Sequence, residues 1–232
     1  MMKFYRFLLF VFCVVVACQV QSAPFLTAQQ MRDCLSIMPP PPAFEEAAFA
    51  YDQAQYEWGK SQRNSLRGKR AVEDAETNLS YISRIFSDAA GRTISAEKTP
   101  KTYALLYRLN ETTKEMSSIS KAVRFRDRPY IHFNEPTAVP QHEEDLRLSS
   151  SYPSGHTLLG WSMALVLTEL FPQKSKEILT CGYEYGQSRV IVGFHYQSDV
   201  DTARMISSAI VALMHGEPDF IKMLNEAKEE LK

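Results

Sequence analysis

Between Phe44 and Leu231 apolar side chains recur three and four residues apart, and no segment alternates apolar and polar with a period of two. A chain with that pattern buries stripes of helices, not faces of sheets. The β-branched run Val190, Ile191, Val192 is too short for a strand system and has no hairpin partner. Nine glycines in 232 residues also disfavour a turn-rich β architecture. The pattern therefore predicts an all-α fold, a single helical-bundle domain with several packed helices.

Helix boundaries follow from the punctuation. Ala47, Ala48, Tyr51, Ala54 and Trp58 predict a helix over 44–58. Ala71, Ala75, Leu79, Ile82 and Phe86 predict a second over 71–86, with Glu73 and Asp74 on its solvated face and Gly91 ending it. Tyr103, Leu106, Leu109 and Met116 predict a third over 101–123. Pro129, Pro136 and Pro140 mark a loop. A fourth helix begins near His156 and is stopped by Pro172. A fifth runs from Lys174 to the Val190–Val192 run, a sixth from Gln197 to Met214, and a last from Pro218 to Leu231.

The first residues have a different character. Lys3 and Arg6 precede an apolar stretch from Phe7 to Cys18, which a small-residue exit follows. That reads as a secretory signal peptide over 1–22, cut after Ser22 or Ala23. Val15, Val16 and Ala17 before Cys18 loosely resemble a lipoprotein site, so anchoring at Cys18 is the weaker alternative, and a retained anchor helix a third. Removing residues 1–22 from 232 leaves 210, and losing Lys3 and Arg6 takes the formal charge from −1 to −3. Nothing in that balance points to nucleic acid. Residues 23–43 read as an extended segment, with the rigid run Pro39–Pro42 leading into the helical domain, 44–232. Cys34 and Cys181 remain after cleavage. An oxidising periplasm would permit their pairing, and sequence leaves it open.

Three clusters carry chemistry. Lys121, Arg124, Arg126 and Arg128 end the third helix, where they suit either the helix dipole or an oxyanion. Pro153, Ser154, Gly155 and His156 open the fourth. Ser154 can be a plain cap, or the turn can present backbone N–H groups to an anion. Arg189 and the pair His195 and Asp199 form the third cluster. A carboxylate on one imidazole nitrogen leaves the other free as nucleophile or base, although an ordinary ion pair has the same spacing. Arg189 and His195 would fall on different faces of one helix, so Gly193 between them implies a break that lets them converge. His132, His142 and His215 read as structural or surface residues, without a partner set at metal-ligand spacing. The sequons at Asn78 and Asn110 fall within predicted helices and read as idle.

The three segments read K-x6-R-P at Lys121–Pro129, P-S-G-H at Pro153–His156 and S-R-x5-H-x3-D at Ser188–Asp199. Together they resemble the signature of the type 2 phosphatidic-acid-phosphatase superfamily, which includes vanadium haloperoxidases. The flanking text is similar to the class A bacterial nonspecific acid phosphatases: S-Y-P-S-G-H-T from Ser151, G-Y-E-Y-G-Q-S-R-V-I from Gly182, Q-S-D-V-D from Gln197, and R-G-K-R from Arg67. Tyr196 stands where that family often has Trp, and Phe125–Asp127 vary the stretch before Arg128.

The resemblance implies a periplasmic or secreted, metal-independent acid phosphatase of the helical acid phosphatase/vanadium haloperoxidase type. It would need no cofactor and form a homo-oligomer, dimer or higher. Its substrates would be small phosphate monoesters such as nucleotides and sugar phosphates. His195 would form a phosphohistidine, Asp199 would orient it, and His156 would act as acid and then base. Lys121, Arg128, Ser154, Gly155 and Arg189 would bind the phosphoryl group. Phosphotransfer to alcohols would be a side activity, and the 130–150 loop would set substrate breadth. Alternatives are a vanadate-dependent haloperoxidase and a catalytically idle phosphate-binding protein. A membrane lipid phosphatase would need several spans, which the chain after residue 22 lacks.

Overall fold

A computed structural model describes residues 23–232, so the signal-peptide and Cys18 expectations fall outside the described residues. Within them there are eleven α-helices and no strand. They are α1 (Ala28–Cys34), α2 (Phe49–Gln62), α3 (Leu66–Glu73), α4 (Leu79–Ala90), α5 (Pro100–Val123), α6 (Pro129–His132), α7 (Glu143–Leu146), α8 (Gly155–Leu170), α9 (Ser175–Val192), α10 (Gln197–Met214) and α11 (Pro218–Glu230).

Helix α8 is apolar almost all round, which suits a helix buried on every side. It packs against α5, α9 and α10, and Leu158, Met163 and Leu167 lie at the centre of the main core with Leu106 of α5 and Ile206 of α10. Small residues set its approach to α9. A Cβ at Gly182 would stand 2.5 Å from the Ala164 Cβ, and one at Gly160 would stand 2.4 Å from the Tyr185 ring. The turn at Pro172–Lys174 makes α8 and α9 antiparallel, so the end of α9 returns to the start of α8. The end of α5 and the start of α10 arrive at the same place. Four helix termini thus converge at one end of the bundle.

Several expectations change. Residues 23–43 are not extended throughout, because residues 28–34 form α1, capped by Thr27 and Gln30. Phe25 packs edge-on against Phe220 at 5.2 Å and docks this segment on α11. The proline run is not a free linker either. Tyr152 Oη donates to the Pro39 carbonyl, and Arg126 Nη2 to that of Pro42 at 3.3 Å. On α2 the buried face is Phe49, Asp52, Tyr56 and Gly59, whereas Tyr51 and Trp58 are exposed. Gly59 lets α2 lie against the backbone of α9 (a Cβ there would stand 2.8 Å from the Val190 oxygen), and that contact fixes the helix's rotation.

The predicted helix over 71–86 is two helices. Asn78 caps α4 by accepting the Tyr81 N–H at 2.8 Å, so it precedes the helix instead of lying inside one. Asp74 is buried, not solvated. It accepts from Arg70 Nε, Tyr81 Oη and Ser188 Oγ at 3.0, 2.7 and 2.6 Å. Gly91 closes α4 in the left-handed conformation at φ 66°. Cys34 and Cys181 are both free thiols.

Candidate active site

The converging termini enclose a pocket of about 270 Å³. Lys121, Arg128, Gly155, His156, Arg189 and His195 all line it. Ser154 and Asp199 stand immediately behind that wall, fully buried.

Helix α5 delivers Lys121 from its last turn, where the ammonium donates to the Ser150 carbonyl. Burial, with Arg128 and Arg189 adding to it and Asp199 opposing, pulls the ammonium down to about 7. The chain then leaves the helix, and Arg128 is fixed by carbonyls. Its Nε donates to Leu146 and Ser149 at 3.1 and 3.0 Å, and its Nη1 to Phe194 at 3.1 Å. Burial lowers it to about 10, so it stays cationic.

Arg189 is 1% exposed and sits 4.9 Å from the Phe194 ring centroid. Its Nε and Nη1 have no protein partner. Donors of a buried guanidinium are costly to leave unmet, so this geometry suits an anion. Burial also holds Arg189 at about 10. The break anticipated at Gly193 is present. At φ 92° this residue ends α9 in the left-handed region and lets the chain turn back before α10. Arg189 and His195 meet for that reason.

His195 precedes α10, and Asp199 lies in the first turn of that helix. Nδ1 of His195 faces Asp199 Oδ2 at 3.3 Å, and Nε2 faces Arg128 Nη1 at 3.3 Å. The Asp199 Oδ2 also accepts the Tyr196 N–H at 2.9 Å. Burial, then Arg128, Lys121 and Arg189, hold the imidazole well below its ordinary range. A neutral ring with its proton on Nδ1 leaves the Nε2 lone pair facing the cations.

Ser154 caps α8. Its Oγ accepts the Thr157 N–H and Oγ1–H at 3.3 and 2.9 Å, which leaves its own proton to donate. Its N–H donates to the Asp199 carbonyl at 3.1 Å, stitching α8 to α10. Gly155 keeps the pocket floor open, because a Cβ there would stand 2.8 Å from Ser117 Oγ. His156 Nε2 lies 3.0 Å from the Ala75 carbonyl, which places a proton on Nε2 and leaves Nδ1 for exchange. Burial and then Arg189 hold His156 well below its ordinary range.

Some roles were not legible from sequence. Arg124 is exposed, but Arg126 turns inward and grips Asp199 Oδ1 at 2.7 Å and Asp52 Oδ2 at 2.8 Å. The one available signal was an acidic residue at Asp52 inside a Phe49–Tyr56 helical stripe. The outer wall also includes Asn110, Thr113 and Ser117, one stripe of α5, besides Leu146 and Ser149 of the 130–150 loop. Asn110 is therefore a buried wall residue, inaccessible to glycan. His132 stacks on Phe44 at 3.9 Å, and His215 pairs with Glu169 at 2.9 Å. Among the described residues no group of three or more His, Cys, Asp or Glu side chains could hold a metal ion.

Comparisons with known proteins place the chain in a family. The model of the PAP2 superfamily matches residues 102–218. A non-specific acid phosphatase of Providencia stuartii is 40% identical over 207 residues, spanning 89% of this chain and 84% of the relative. One of Salmonella typhi is 38% identical, spanning 97% and 92%. An acid phosphatase of Zymomonas mobilis is 31% identical, spanning 91% and 80%.

Proposed function

The chain belongs to the PAP2 superfamily and is an acid phosphatase of the class A nonspecific type, and from that premise we propose that it hydrolyses phosphate monoesters through a phosphohistidine on His195. The observation that carries this reading is the setting of His195. One nitrogen is held by Asp199, and the other faces a wall of three cations, two of them, Arg128 and Arg189, fully buried.

Nε2 of His195 attacks phosphorus in line, and the bond from phosphorus to the ester oxygen breaks. His156 passes its Nδ1 proton to the departing oxygen. Lys121, Arg128 and Arg189 pair with the equatorial oxygens, while the Ser154 hydroxyl and Gly155 N–H complete the cradle. Asp199 keeps the Nδ1 proton in place and balances the positive charge that the ring acquires. Water then gives a proton to His156 and attacks phosphorus. The N–P bond breaks and phosphate leaves. An alcohol entering in place of water gives phosphotransfer.

The acid preference has a physical source. Burial and Arg189 disfavour the charged form of His156, and a dianionic phosphoryl group would offset the cation field and favour its proton. The substrate is a small monoester whose leaving group lies along the polar stripe of α5 toward Asn110. The basic and apolar N-terminal text supports export to the periplasm. No helix among the described residues is long and apolar enough to cross a membrane.

The test is a chromogenic phosphomonoester assayed from acid to mildly alkaline pH, with and without EDTA, beside His195→Ala. The expected result is turnover that peaks in acid, survives EDTA and falls by at least about a thousandfold in the variant. Near-normal turnover by His195→Ala would remove the phosphohistidine mechanism.

A further inference from the structure

Asp199 is one end of a buried charge chain that the reaction scheme above does not use. Its Oδ1 accepts Arg126 Nη1 at 2.7 Å, and Arg126 Nη2 donates to Asp52 Oδ2 at 2.8 Å. Asp52 Oδ1 in turn accepts the Ser198 N–H at 2.7 Å, and Ser198 Oγ bridges Asp52 and Arg126 at 2.6 and 2.8 Å. The Arg126 guanidinium lies 4.0 Å from the centroid of the Tyr196 ring. All three charged side chains are at least nine-tenths buried. They come from α2, from the segment after α5 and from the first turn of α10.

A buried ion triad is a poor device for stability, since desolvation offsets most of the attraction. Its placement suits another role. The carboxylate that orients the nucleophile is itself clamped on its far oxygen, so its near oxygen keeps one direction toward His195. The triad carries a net charge of −1 and faces a neutral imidazole. When the ring becomes a phosphorylated cation, the two balance. Asp52 matters because without it Arg126 would neutralise Asp199 alone.

We infer that Asp52 and Arg126 are positioning residues for phosphoryl transfer, setting through Asp199 both the orientation and the basicity of His195. The inference rests on His195 as nucleophile. His195 faces Lys121 of α5, Arg128 of the following segment, His156 of α8, Arg189 of α9 and Asp199 of α10, with Arg126 and Asp52 behind Asp199. The two outer members therefore act with opposite signs. Removing Asp52 leaves Arg126 undivided on Asp199, weakens the negative field and makes His195 less basic. Removing the Arg126 charge exposes His195 to two carboxylates and makes it more basic.

The experiment measures Asp52→Asn, Arg126→Gln and Arg126→Lys in the full exported protein, with kcat, KM, inhibition by inorganic phosphate, and the acid limb of kcat/KM. Loss of an outer partner of this kind is expected to lower kcat about ten- to a hundredfold. Phosphate inhibition, which reads the Lys121, Arg128 and Arg189 clamp, should stay near wild type, and Arg126→Lys should recover part of kcat. The acid limb should move to lower pH in Asp52→Asn and to higher pH in Arg126→Gln. Equal loss of phosphate inhibition and kcat, or limbs that move the same way, would overturn the inference. If Arg126→Gln does not fold, Ser198→Ala, which removes only the bridging hydroxyl, must show the same split between kcat and phosphate inhibition. Asp199→Asn separates the two readings. If it lowers kcat while Asp52 and Arg126 variants do not, only the chain fails. If it leaves kcat unchanged, the role of Asp199 fails with it.

Discussion

At the scale of single residues the pocket is a set of cations held apart from their counter-ion. Lys121 shows the consequence. Its ammonium titrates near 7 in the folded chain, while the unfolded chain keeps that proton to about pH 10. Between those values the unfolded state binds more protons, so this group's contribution to stability rises with pH. A bound dianion reverses the effect by favouring the ammonium, so binding above neutrality takes up a proton and weakens as pH rises. Sulfate makes the cleaner probe because its charge is constant over this range. The rise in Tm that sulfate produces should shrink between about pH 7 and about pH 9, above the ordinary histidine range. In Lys121→Met the increment should be small and flat across the same interval. A wild-type increment that grows with pH would contradict the placement of Lys121 beside the anion. At this scale the signature residues were legible, because a turn, a helix end and a glycine break each have a local sequence form. The inward turn of Arg126 was not, since its partner Asp52 lies 74 positions away and no local spacing announces that pairing.

At the scale of helices, termini decide the architecture, and α5 shows how one is supplied from a distance. Thr99 precedes Pro100 but makes no side-chain cap. The missing acceptor is Glu230 of α11, whose carboxylate receives the Lys101 and Thr102 N–H groups at 2.8 and 2.9 Å and the Thr102 hydroxyl at 2.8 Å. Burial pushes the Glu230 carboxyl up, but the Lys101 and Thr102 donors outweigh it and hold it below the usual range. A depressed carboxyl stabilises the fold above its unfolded value and loses that effect as pH falls through its folded value. Glu230→Gln should therefore cost about 1 kcal/mol at neutral pH, as loss of a helix cap does, and lower Tm by about 2–4 °C. The difference from wild type should fade below about pH 4, where the parent carboxyl is protonated. Phosphatase activity at temperatures well under Tm should not change, because Lys121 stands about 30 Å along α5 from this cap. A variant as stable as wild type at neutral pH would refute the cap. The starts of α5, α8 and α11 and the ends of α8 and α10 were legible to within a residue or two, since a proline or glycine stands at or just past each. Sequence failed on α2, where the buried face includes Asp52 and Gly59, and at 74–78, where Asn78 diverts the backbone from a continuous helix.

At the scale of the whole molecule, what ties the described residues together is non-covalent. The N-terminal segment docks through Phe25, through α1 against α5 and α10, and through the Pro39 and Pro42 carbonyls. Sequence left open whether Cys34 and Cys181 also join it to α9, because pairing is a matter of distance between helices far apart in the chain. Both thiols are free. Cys34 is buried, and Cys181 lies on α9 with its Sγ 3.7 Å from the Ile85 carbonyl. Burial raises both, and it carries Cys181 to about 12. Only the thiolate attacks disulfides or alkylating agents, and at pH 8 a thiol of that acidity has about one ten-thousandth of its population ionised. Oxidation should therefore bypass both sites while the fold is intact. The native protein should show no mass deficit of two hydrogens, and reductant should leave its Tm and activity unchanged. Peptide mapping after iodoacetamide should find Cys34 and Cys181 unmodified in the native state and fully modified in denaturant. Alkylation that begins only with global unfolding would make the two thiols reporters of the docked N-terminal segment and of α9. A cross-linked Cys34–Cys181 peptide would mean instead that a covalent staple, not packing on α5 and α10, holds that segment in place.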